Sequence, residues 1–237
     1  MERTQVAGMD GCKGGWLVVT WTLAEDESFE AFFAATFRQA LERLRDATIL
    51  AVDMPIGLLD AQQPGGRSCD QAARRLLTGQ TSSVFSAPIR GVLSAENYQE
   101  ALALSRSSSE HEIGLSQQSW NIAPRIREVD DVMTPELQRC IREIHPELCF
   151  RYLNAGVRLP KKKSAEGREV RRGLLRSARI TSLEEIRASA RQGATDDFLD
   201  ACAACECARR ILEGRARRVP EGEPPRDSKG LRMEMWY

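Results

Sequence analysis

The chain has 237 residues, which suits one domain of moderate size or a core with a large insertion. Its 34 basic residues balance 34 acidic residues, so net charge supports long-range attraction to no class of partner, and a nucleic-acid surface would have to be a local patch. The N-terminal residues are charged and no run approaches the roughly 18 apolar residues of a membrane span, so we expect a cytoplasmic protein without a membrane partner. The seven cysteines fit a reducing compartment, and we expect most of them to be buried.

The N-terminal part of the chain predicts three strands in meander order, then a helix and a fourth strand. The strands are expected at 6–10, 16–23 and 29–33, with the glycine-rich "GCKGG" as the first turn. Apolar residues at helical spacing predict a helix over 37–46, and "TILAVDMP" is typical of a strand buried on both faces. A helix between two strands implies a right-handed crossover, so we expect the first and fourth strands to be parallel neighbours.

The rest of the chain is predicted to be mostly helical. Helices are expected at 67–77, 96–105, most of 116–139, 165–176 and 195 to about 213. A short strand is expected before Pro146 with a helix after it, and the C-terminal "LRMEMWY" alternates as an edge strand does. We therefore predict a single domain over 1–237 with a mostly helical insertion at about 64–139.

The segment "TDDFLDACAACECARR", which begins at residue 195, places three carboxylates at the start of a packed helix. A helical wheel puts Asp197 and Asp200 on the apolar side of this helix. The same wheel predicts a solvent-exposed face made of these charged residues: Glu206, Arg209, Arg210 and Glu213. Inward carboxylates call for cations, hydrogen bonds or a metal, because burying an unpaired charge is costly.

The alternative explanation for these acids is capping of the helix. Thr195 or Asp196 would be the N-cap, and acids in the first turn would stabilise the positive end of the helix dipole. Capping is favoured for Asp196, disfavoured for Asp200 because it lies one turn further on, and left open for Asp197.

Two further acids end otherwise apolar strands. Asp10 closes the first predicted strand and Asp53 the fourth, so parallel pairing would bring both carboxylates to one edge of the sheet. A helix that carries Asp197 and Asp200 to that edge would complete a cluster of oxygen ligands suited to Mg²⁺ or Mn²⁺. Two such ions about 4 Å apart could activate a water and stabilise the leaving oxygen of a phosphodiester.

Several motifs carry a resemblance to a known family. They are "GMDGCKGGW", "AVDMPIGL", "RSCDQAARRLL", "SSVFSAPIR", "SQQSWNIAPRIREVD", "EIHPELCF" and "DDFLDA". They resemble the DUF429 family, an uncharacterised group regarded as predicted nucleases of the ribonuclease H-like fold. The resemblance implies an α/β architecture with a mixed sheet of three antiparallel strands followed by parallel strands, flanked by helices.

The acidic residues also resemble those of Holliday-junction resolvases of the RuvC type. The pair Asp197 and Asp200 is similar to the last acidic motif of those enzymes, whereas Asp53 stands where they carry a glutamate. Glu143 and His145 have no obvious counterpart there. Glu143 is a candidate ligand or supporting acid and His145 a candidate for positioning a water or phosphate, and a hydrogen-bonded structural role is the alternative for both.

Polar residues outside the acidic motifs are candidates for substrate contacts. Lys13 lies in the glycine-rich turn, where glycines also serve a plain hairpin, and a basic segment over 158–191 could follow a phosphate backbone or form a solvated helix face. The arginines within the motifs could clamp an anion or form structural ion pairs. The candidates are Lys13, Arg67, Arg90, Gln118, Arg125, Lys162 and Lys163. Trp120 is predicted to anchor the core of the insertion, and the cysteines of the last helix are spread around its axis, which argues against a zinc site.

These observations favour a metal-dependent nuclease or phosphodiesterase that uses Mg²⁺ or Mn²⁺. Asp10, Asp53, Asp197 and Asp200 would hold the metal. An ATP-dependent phosphotransferase of the actin-like fold and a non-catalytic module that binds nucleic acid or protein are the alternatives. DNA, RNA or a small phosphate ester remain open as substrates, and so does a homodimer.

Overall fold

The computed structural model describes residues 4–190 and 193–237. The chain forms two compact units, of which the first comprises 1–54, 140–217 and 236–237 and the second comprises 55–139 and 218–235. The second unit contains the whole insertion expected at 64–139, begins nine residues earlier, and includes the segment 218–235 near the C-terminus.

The sheets are built from seven strands. Their bounds are β1 (Thr4–Cys12), β2 (Gly15–Leu23), β3 (Ser28–Ala34), β4 (Ala47–Asp53), β5 (Ile141–Glu143), β6 (Arg218–Val219) and β7 (Met235–Trp236). The main sheet has the order β3-β2-β1-β4-β5, with antiparallel pairs among the first three strands and parallel pairs from β1 to β4 and from β4 to β5. This is the ribonuclease H-like layout, and it confirms the predicted meander and crossover.

Eight α-helices are described. Their bounds are α1 (Phe37–Arg43), α2 (Ser68–Leu76), α3 (Tyr98–Ser107), α4 (Gln117–Asp130), α5 (Pro146–Leu153), α6 (Ala165–Ser177), α7 (Leu183–Ala190) and α8 (Thr195–Leu212). Three short 3₁₀ helices lie at Thr81–Ser83, Arg90–Ser94 and Leu137–Arg139. Seven of the eight α-helices coincide with predicted helical segments, whereas α7 lies in the basic segment where no separate helix was predicted. Arg191, the end of that predicted segment, lies outside the described residues.

The backbone of α8 lies directly on β1 because the contacting residues are small. A Cβ atom on Gly8 would lie 2.0 Å from the backbone nitrogen of Cys205 and 2.3 Å from the carbonyl oxygen of Ala201, so only glycine fits at this position of the strand. Val6, on the same face of β1, packs in the same core with Ala204. This contact sets the distance between the main sheet and α8.

Three of the four residues of the predicted solvent-exposed face of α8 are buried, which contradicts the prediction for them, whereas Glu213 is exposed as predicted. Glu206, Arg209 and Arg210 are 1%, 6% and 1% exposed. Glu206 accepts hydrogen bonds from Arg210 Nε at 2.7 Å and from Arg209 Nη2 at 3.1 Å, and the Arg210 guanidinium lies over the ring of Tyr152. These charges are tolerated inside the first unit because they pair with one another and stack on aromatic rings.

The second unit has a small core of its own. Five buried apolar residues form it, and Trp120 packs against them with its ring 6.5 Å from that of Tyr98. The core residues are Ile89, Val92, Ala95, Ala101 and Leu115. The prediction that Trp120 anchors the core of the insertion is therefore confirmed.

The cysteines behave as small apolar residues in this fold. Five of the seven are buried, namely Cys69, Cys149, Cys202, Cys205 and Cys207, and all seven are free thiols. The prediction that most of them are buried is confirmed.

Within the described part of the chain, no helix combines the length and the apolar character needed to cross a bilayer.

We expect Gly8→Ala to lower the free energy of unfolding by about 3 kcal/mol, because an added methyl group would force α8 away from β1. Gly173→Ala is the matched control, since Gly173 lies on α6 with no atom within 4 Å of an added Cβ, and this change should stabilise the protein by about 0.5–1 kcal/mol. Urea denaturation of both variants measures the difference. A Gly8→Ala variant as stable as the parent would contradict the proposed contact between the two backbones.

Candidate metal centre

Four aspartates meet on one face of the main sheet at its carboxyl edge. Asp10 and Asp53 are register partners on the parallel strands β1 and β4, and side chains alternate along each strand. Asp10 therefore lies on the same face as Gly8, and Asp53 on the same face as Ala51, which packs in the core that α8 covers. The first turns of α8 supply Asp197 and Asp200. We call Asp10, Asp53, Asp197 and Asp200 the carboxylate cluster.

Burial and neighbouring carboxylates raise the pKa of Asp10, Asp53 and Asp200. Burial, followed by the charges of Asp53, Asp200 and Asp197, holds the pKa of Asp10 well above its usual value. Burial also raises the pKa of Asp53 to about 7 and that of Asp200 to about 7, with neighbouring carboxylates adding to the rise. Each of these groups therefore gains free energy from a proton or another cation placed beside it.

The ammonium group of one partly exposed lysine contacts the cluster. Lys162 Nζ donates a hydrogen bond of 3.1 Å to Asp200 Oδ2, and its charge lowers the pKa of Asp10, Asp53 and Asp200. The pKa of Lys162 is raised by the same three carboxylates, against the opposing effect of burial. For residues 4–190 and 193–237, no ion pair joins Asp10 or Asp53 to a Lys or Arg side chain.

The two acids in the first turn of α8 have different partners. Asp196 forms an ion pair with Arg168, whose Nε lies 2.9 Å from Asp196 Oδ1. Asp197 accepts a hydrogen bond of 3.0 Å from the backbone nitrogen of Ala194, which is the N-cap residue. The prediction that Thr195 or Asp196 is the N-cap is therefore wrong, whereas Asp196 does lie in the first turn, where its charge stabilises the positive end of the helix dipole as predicted. Asp197 both caps the helix and contributes its charge to the cluster.

A buried ion pair borders the cluster and was not assigned from the sequence. Arg171 Nη2 donates to both carboxylate oxygens of Glu147, at 2.7 and 2.8 Å, and the guanidinium lies 5.3 Å from the ring centre of Phe150. The charge of Glu147 raises the pKa of Asp53 and of Asp200, so this glutamate lies close enough to influence the site. Its place directly after Pro146, in the first turn of α5, was the only signal in the sequence.

The structure does not bring Glu143 to the carboxylate cluster. Glu143 pairs in register with Val52, and parallel register partners point to the same face of a sheet. Because Val52 and Asp53 are consecutive, Glu143 lies on the face opposite the cluster. His145 is the N-cap residue of α5, and its backbone carbonyl accepts hydrogen bonds from Leu148 and Cys149. The proposed role of its imidazole and the structural alternative both stay predictions.

Four of the predicted substrate contacts belong to the second unit. Arg67 is buried in an ion pair with Asp70 and donates to the carbonyl oxygens of Ile56 and Gly57. Arg90 pairs with Asp130 and Asp227, and Arg125 pairs with Glu128. These arginines match the alternative of structural ion pairs. Gln118 is exposed on α4.

The basic segment is largely paired with acids. Arg172 and Arg176 lie beside Glu169, and Arg176 also pairs with Glu184. Exposed cations remain on the turn that carries Lys162, where Lys161 and Lys163 flank it, and Lys13 is exposed in the turn after β1. Lys13, Lys162 and Lys163 keep their predicted substrate roles as hypotheses, with Lys162 the one in contact with the cluster.

The donor chemistry of the cluster fits a hard divalent cation. The ligands available from Asp10, Asp53 and Asp200 are all carboxylate oxygens, which Mg²⁺ and Mn²⁺ prefer. Their mutual repulsion and burial would be relieved by such an ion. Asp10, Asp53 and Asp200 are therefore the residues that would hold the metal, and Asp197 is a further candidate.

The free energy of unfolding of the metal-free protein should fall as the pH rises through about 7, where Asp53 and Asp200 lose their protons. The pKa of Asp53 and of Asp200 is raised from 3.8 to about 7, so native carboxyls still hold protons that the unfolded chain has lost. This contribution is fully present below about pH 4 and is lost as the pH rises through about 7. We expect Asp10→Asn to raise the free energy of unfolding by about 1 kcal/mol at pH 8 in a chelator, with a smaller gain at pH 5.

Denaturant titrations at the two pH values measure this effect. Asp46→Asn is the control, because Asp46 is an exposed carboxylate outside the cluster. A loss of stability in Asp10→Asn at pH 8 would show that the Asp10 carboxylate is already compensated.

We expect Arg171→Met to lower the free energy of unfolding by about 3–5 kcal/mol, because it leaves the Glu147 charge buried without its partner. Arg172→Met on the same helix, where the partner Glu169 is exposed, should cost less than about 1 kcal/mol. Thermal or urea denaturation compares the two variants. An equal loss of stability in the two variants would contradict a larger contribution of the buried Arg171–Glu147 pair.

The comparisons with known proteins agree with the resemblance seen in the motifs. Residues 8–224, most of the chain, match the family model described as "Protein of unknown function (DUF429)". No curated protein and no solved structure is matched by this chain. The match includes Asp10, Asp53, Asp197 and Asp200, so the carboxylate cluster lies within the family region. The chain belongs to the DUF429 family.

Proposed function

We propose that this protein is a divalent-metal-dependent phosphodiesterase that acts on a nucleic acid or a small phosphate ester. The observation that carries the proposal is the convergence of Asp10, Asp53 and Asp200, from three separate parts of the chain, on one buried site. Buried carboxylates with a raised pKa cost stability, and such groups cluster at functional sites.

The non-catalytic alternative predicts that the acids of the cluster form structural salt bridges. Glu147 and Asp196, at the border of the cluster, do so with Arg171 and Arg168. Asp10 and Asp53 have no such ion pair among the described residues. The contrast within one small region supports a site that binds a cation rather than a general network of ion pairs.

The proposed roles follow from position. Asp10 and Asp53, on neighbouring strands, would hold Mg²⁺ or Mn²⁺ from the sheet, and Asp200 would hold it from α8. When bound, the ion would polarise the phosphate oxygens and make a coordinated water a better nucleophile. Asp197 would hold the first turn of α8 in place through its hydrogen bond to Ala194.

The substrate is proposed to carry a phosphate because exposed lysines lie in the two turns that adjoin the cluster residue Asp10 and Lys162 in the chain. Lys161 and Lys163 are exposed on the turn next to the cluster, and Lys13 is exposed after β1. Cations at these positions would attract a phosphate group toward an otherwise acidic site. The few exposed lysines suit contact with one or two phosphate groups, which both a nucleic acid and a small phosphate ester can provide.

Cleavage assays with Mn²⁺ and Mg²⁺ test the proposal. The substrates would be short single-stranded, duplex and branched DNA and RNA, together with a chromogenic phosphodiester. We expect metal-dependent cleavage that a chelator abolishes, and a loss of roughly 10²–10³ in rate in Asp10→Asn and Asp53→Asn, because each removes a ligand from the charged site. The rate should rise from pH 6 to pH 8 as Asp53 and Asp200, with a pKa of about 7, lose their protons.

The control is Asp46→Asn, which changes an exposed carboxylate outside the cluster and should retain the parent rate. The proposal fails if none of these substrates is cleaved at any pH tested. It also fails if Asp10→Asn and Asp53→Asn cleave as fast as the parent protein.

A further inference from the structure

The turn that carries Lys162 is held in a defined conformation. The backbone nitrogen of Ser164 donates to the carbonyl oxygen of Lys161 at 3.0 Å, and Ser164 Oγ donates to the same oxygen at 2.8 Å. Ser164 Oγ in turn accepts the backbone N–H of Gly167, which caps α6. The turn and the helix therefore form one hydrogen-bonded unit.

Two further contacts join this turn to the interior of the first unit. The buried Arg171 donates to the carbonyl oxygen of Pro160 at 3.1 Å while its other nitrogen holds Glu147. A Cβ atom on Gly167 would lie 2.1 Å from the carbonyl oxygen of Lys161, so α6 approaches the turn as closely as glycine allows. The position of Lys162 is thus built into the fold, in contrast to a surface lysine that happens to reach an acid.

Charge balance indicates what Lys162 does there. When ionised, the three carboxylates Asp10, Asp53 and Asp200 carry three negative charges, and the Lys162 ammonium supplies one positive charge. For these three carboxylates the remaining two negative charges equal the charge of a single divalent ion, and the net charge of the whole four-aspartate cluster with Lys162 is minus three. Asp197 adds a fourth carboxylate, which is partly exposed and stabilised by the N-terminus of α8.

We propose that the Lys162 ammonium takes the place of a second metal ion, so that the carboxylate cluster holds one divalent cation and one lysine at the same time. This inference rests on the proposed metal site and changes its composition, because the aspartates alone are compatible with two ions. Lys162 keeps its hydrogen bond to Asp200 Oδ2, so Asp200 Oδ1 would hold the ion together with the carboxylates of Asp10 and Asp53. Lys162 positions the Asp200 carboxylate through this hydrogen bond and supplies a positive charge that belongs to the protein itself.

Calorimetric titration with Mn²⁺ at pH 8, supported by native mass spectrometry, measures the number of ions bound per chain. We expect one ion in the parent protein and two ions in Lys162→Met, where the ammonium is absent. Lys163→Met is the matched control, because it removes an exposed neighbouring lysine, and Lys162→Arg retains the positive charge. Both should bind one ion. The Lys162 side chain is 45% exposed, which makes its replacement compatible with folding.

A second measurement does not depend on metal stoichiometry. In a chelator at pH 8, Lys162→Met should have a lower melting temperature than Lys163→Met, because the three carboxylates lose their internal cation. Mn²⁺ should raise the melting temperature of Lys162→Met more than that of the parent. Equal melting temperatures in the chelator would overturn the inference.

The stoichiometry has equally definite outcomes. Two ions in the parent protein, or one ion in Lys162→Met, would overturn the inference. Binding of no Mn²⁺ by the parent would overturn both the inference and the proposed metal site. One ion in the parent and two in Lys162→Met, without cleavage of any phosphodiester, would support the inference and reject the proposed function.

Discussion

The direct contact between the backbones of α8 and β1 is the constraint on which the candidate site depends. Gly8 leaves no room for a side chain between the strand and the carbonyl oxygen of Ala201. Asp10 lies two residues after Gly8 on the same face of the strand, and Asp200 directly precedes Ala201 on the helix. The same close approach that forms the core therefore brings two carboxylates from opposite ends of the chain together. A larger side chain at Gly8 would move α8 away from β1, and Asp200 would then lie further from Asp10.

The charges around this contact are of two kinds. Glu147 with Arg171, Asp196 with Arg168, and the network of Glu206 on α8 are each balanced by arginines, and they connect α5, α6 and α8. Among the described residues, the carboxylate cluster is paired with one cation, Lys162 from the turn before α6. A buried ion pair whose members bond to each other helps to fix how the helices align. An excess of like charges instead destabilises the site, and a bound cation would remove that electrostatic repulsion. The fold thus concentrates its unbalanced charge at the sheet edge.

Sequence reasoning succeeded where local patterns decide the outcome. Alternating apolar residues indicated the strands that end in Asp10 and Asp53, and the intervening helix implied their parallel pairing. It was wrong about the far end of α8, because a helical wheel treats Glu206, Arg209 and Arg210 as surface residues and contains no information on neighbouring elements. Sequence reasoning also included Glu143 in the site. Glu143 pairs with Val52 and not with Asp53, so its side chain lies on the other face of the sheet, and this register cannot be derived from the sequence of either strand alone.

The sequence by itself determined the main sheet, the helices that flank it and the four aspartates that could converge, because periodicity and chain order are local properties. Only the tertiary structure decided how those aspartates differ. Asp197 caps a helix, Asp200 bonds to Lys162, and Asp196 is removed from the site by Arg168. Only the tertiary structure shows that Lys162, among the many basic residues of its segment, contacts the aspartates. These choices depend on which side chains meet across elements far apart in the chain, and on the burial that makes an unpaired charge costly.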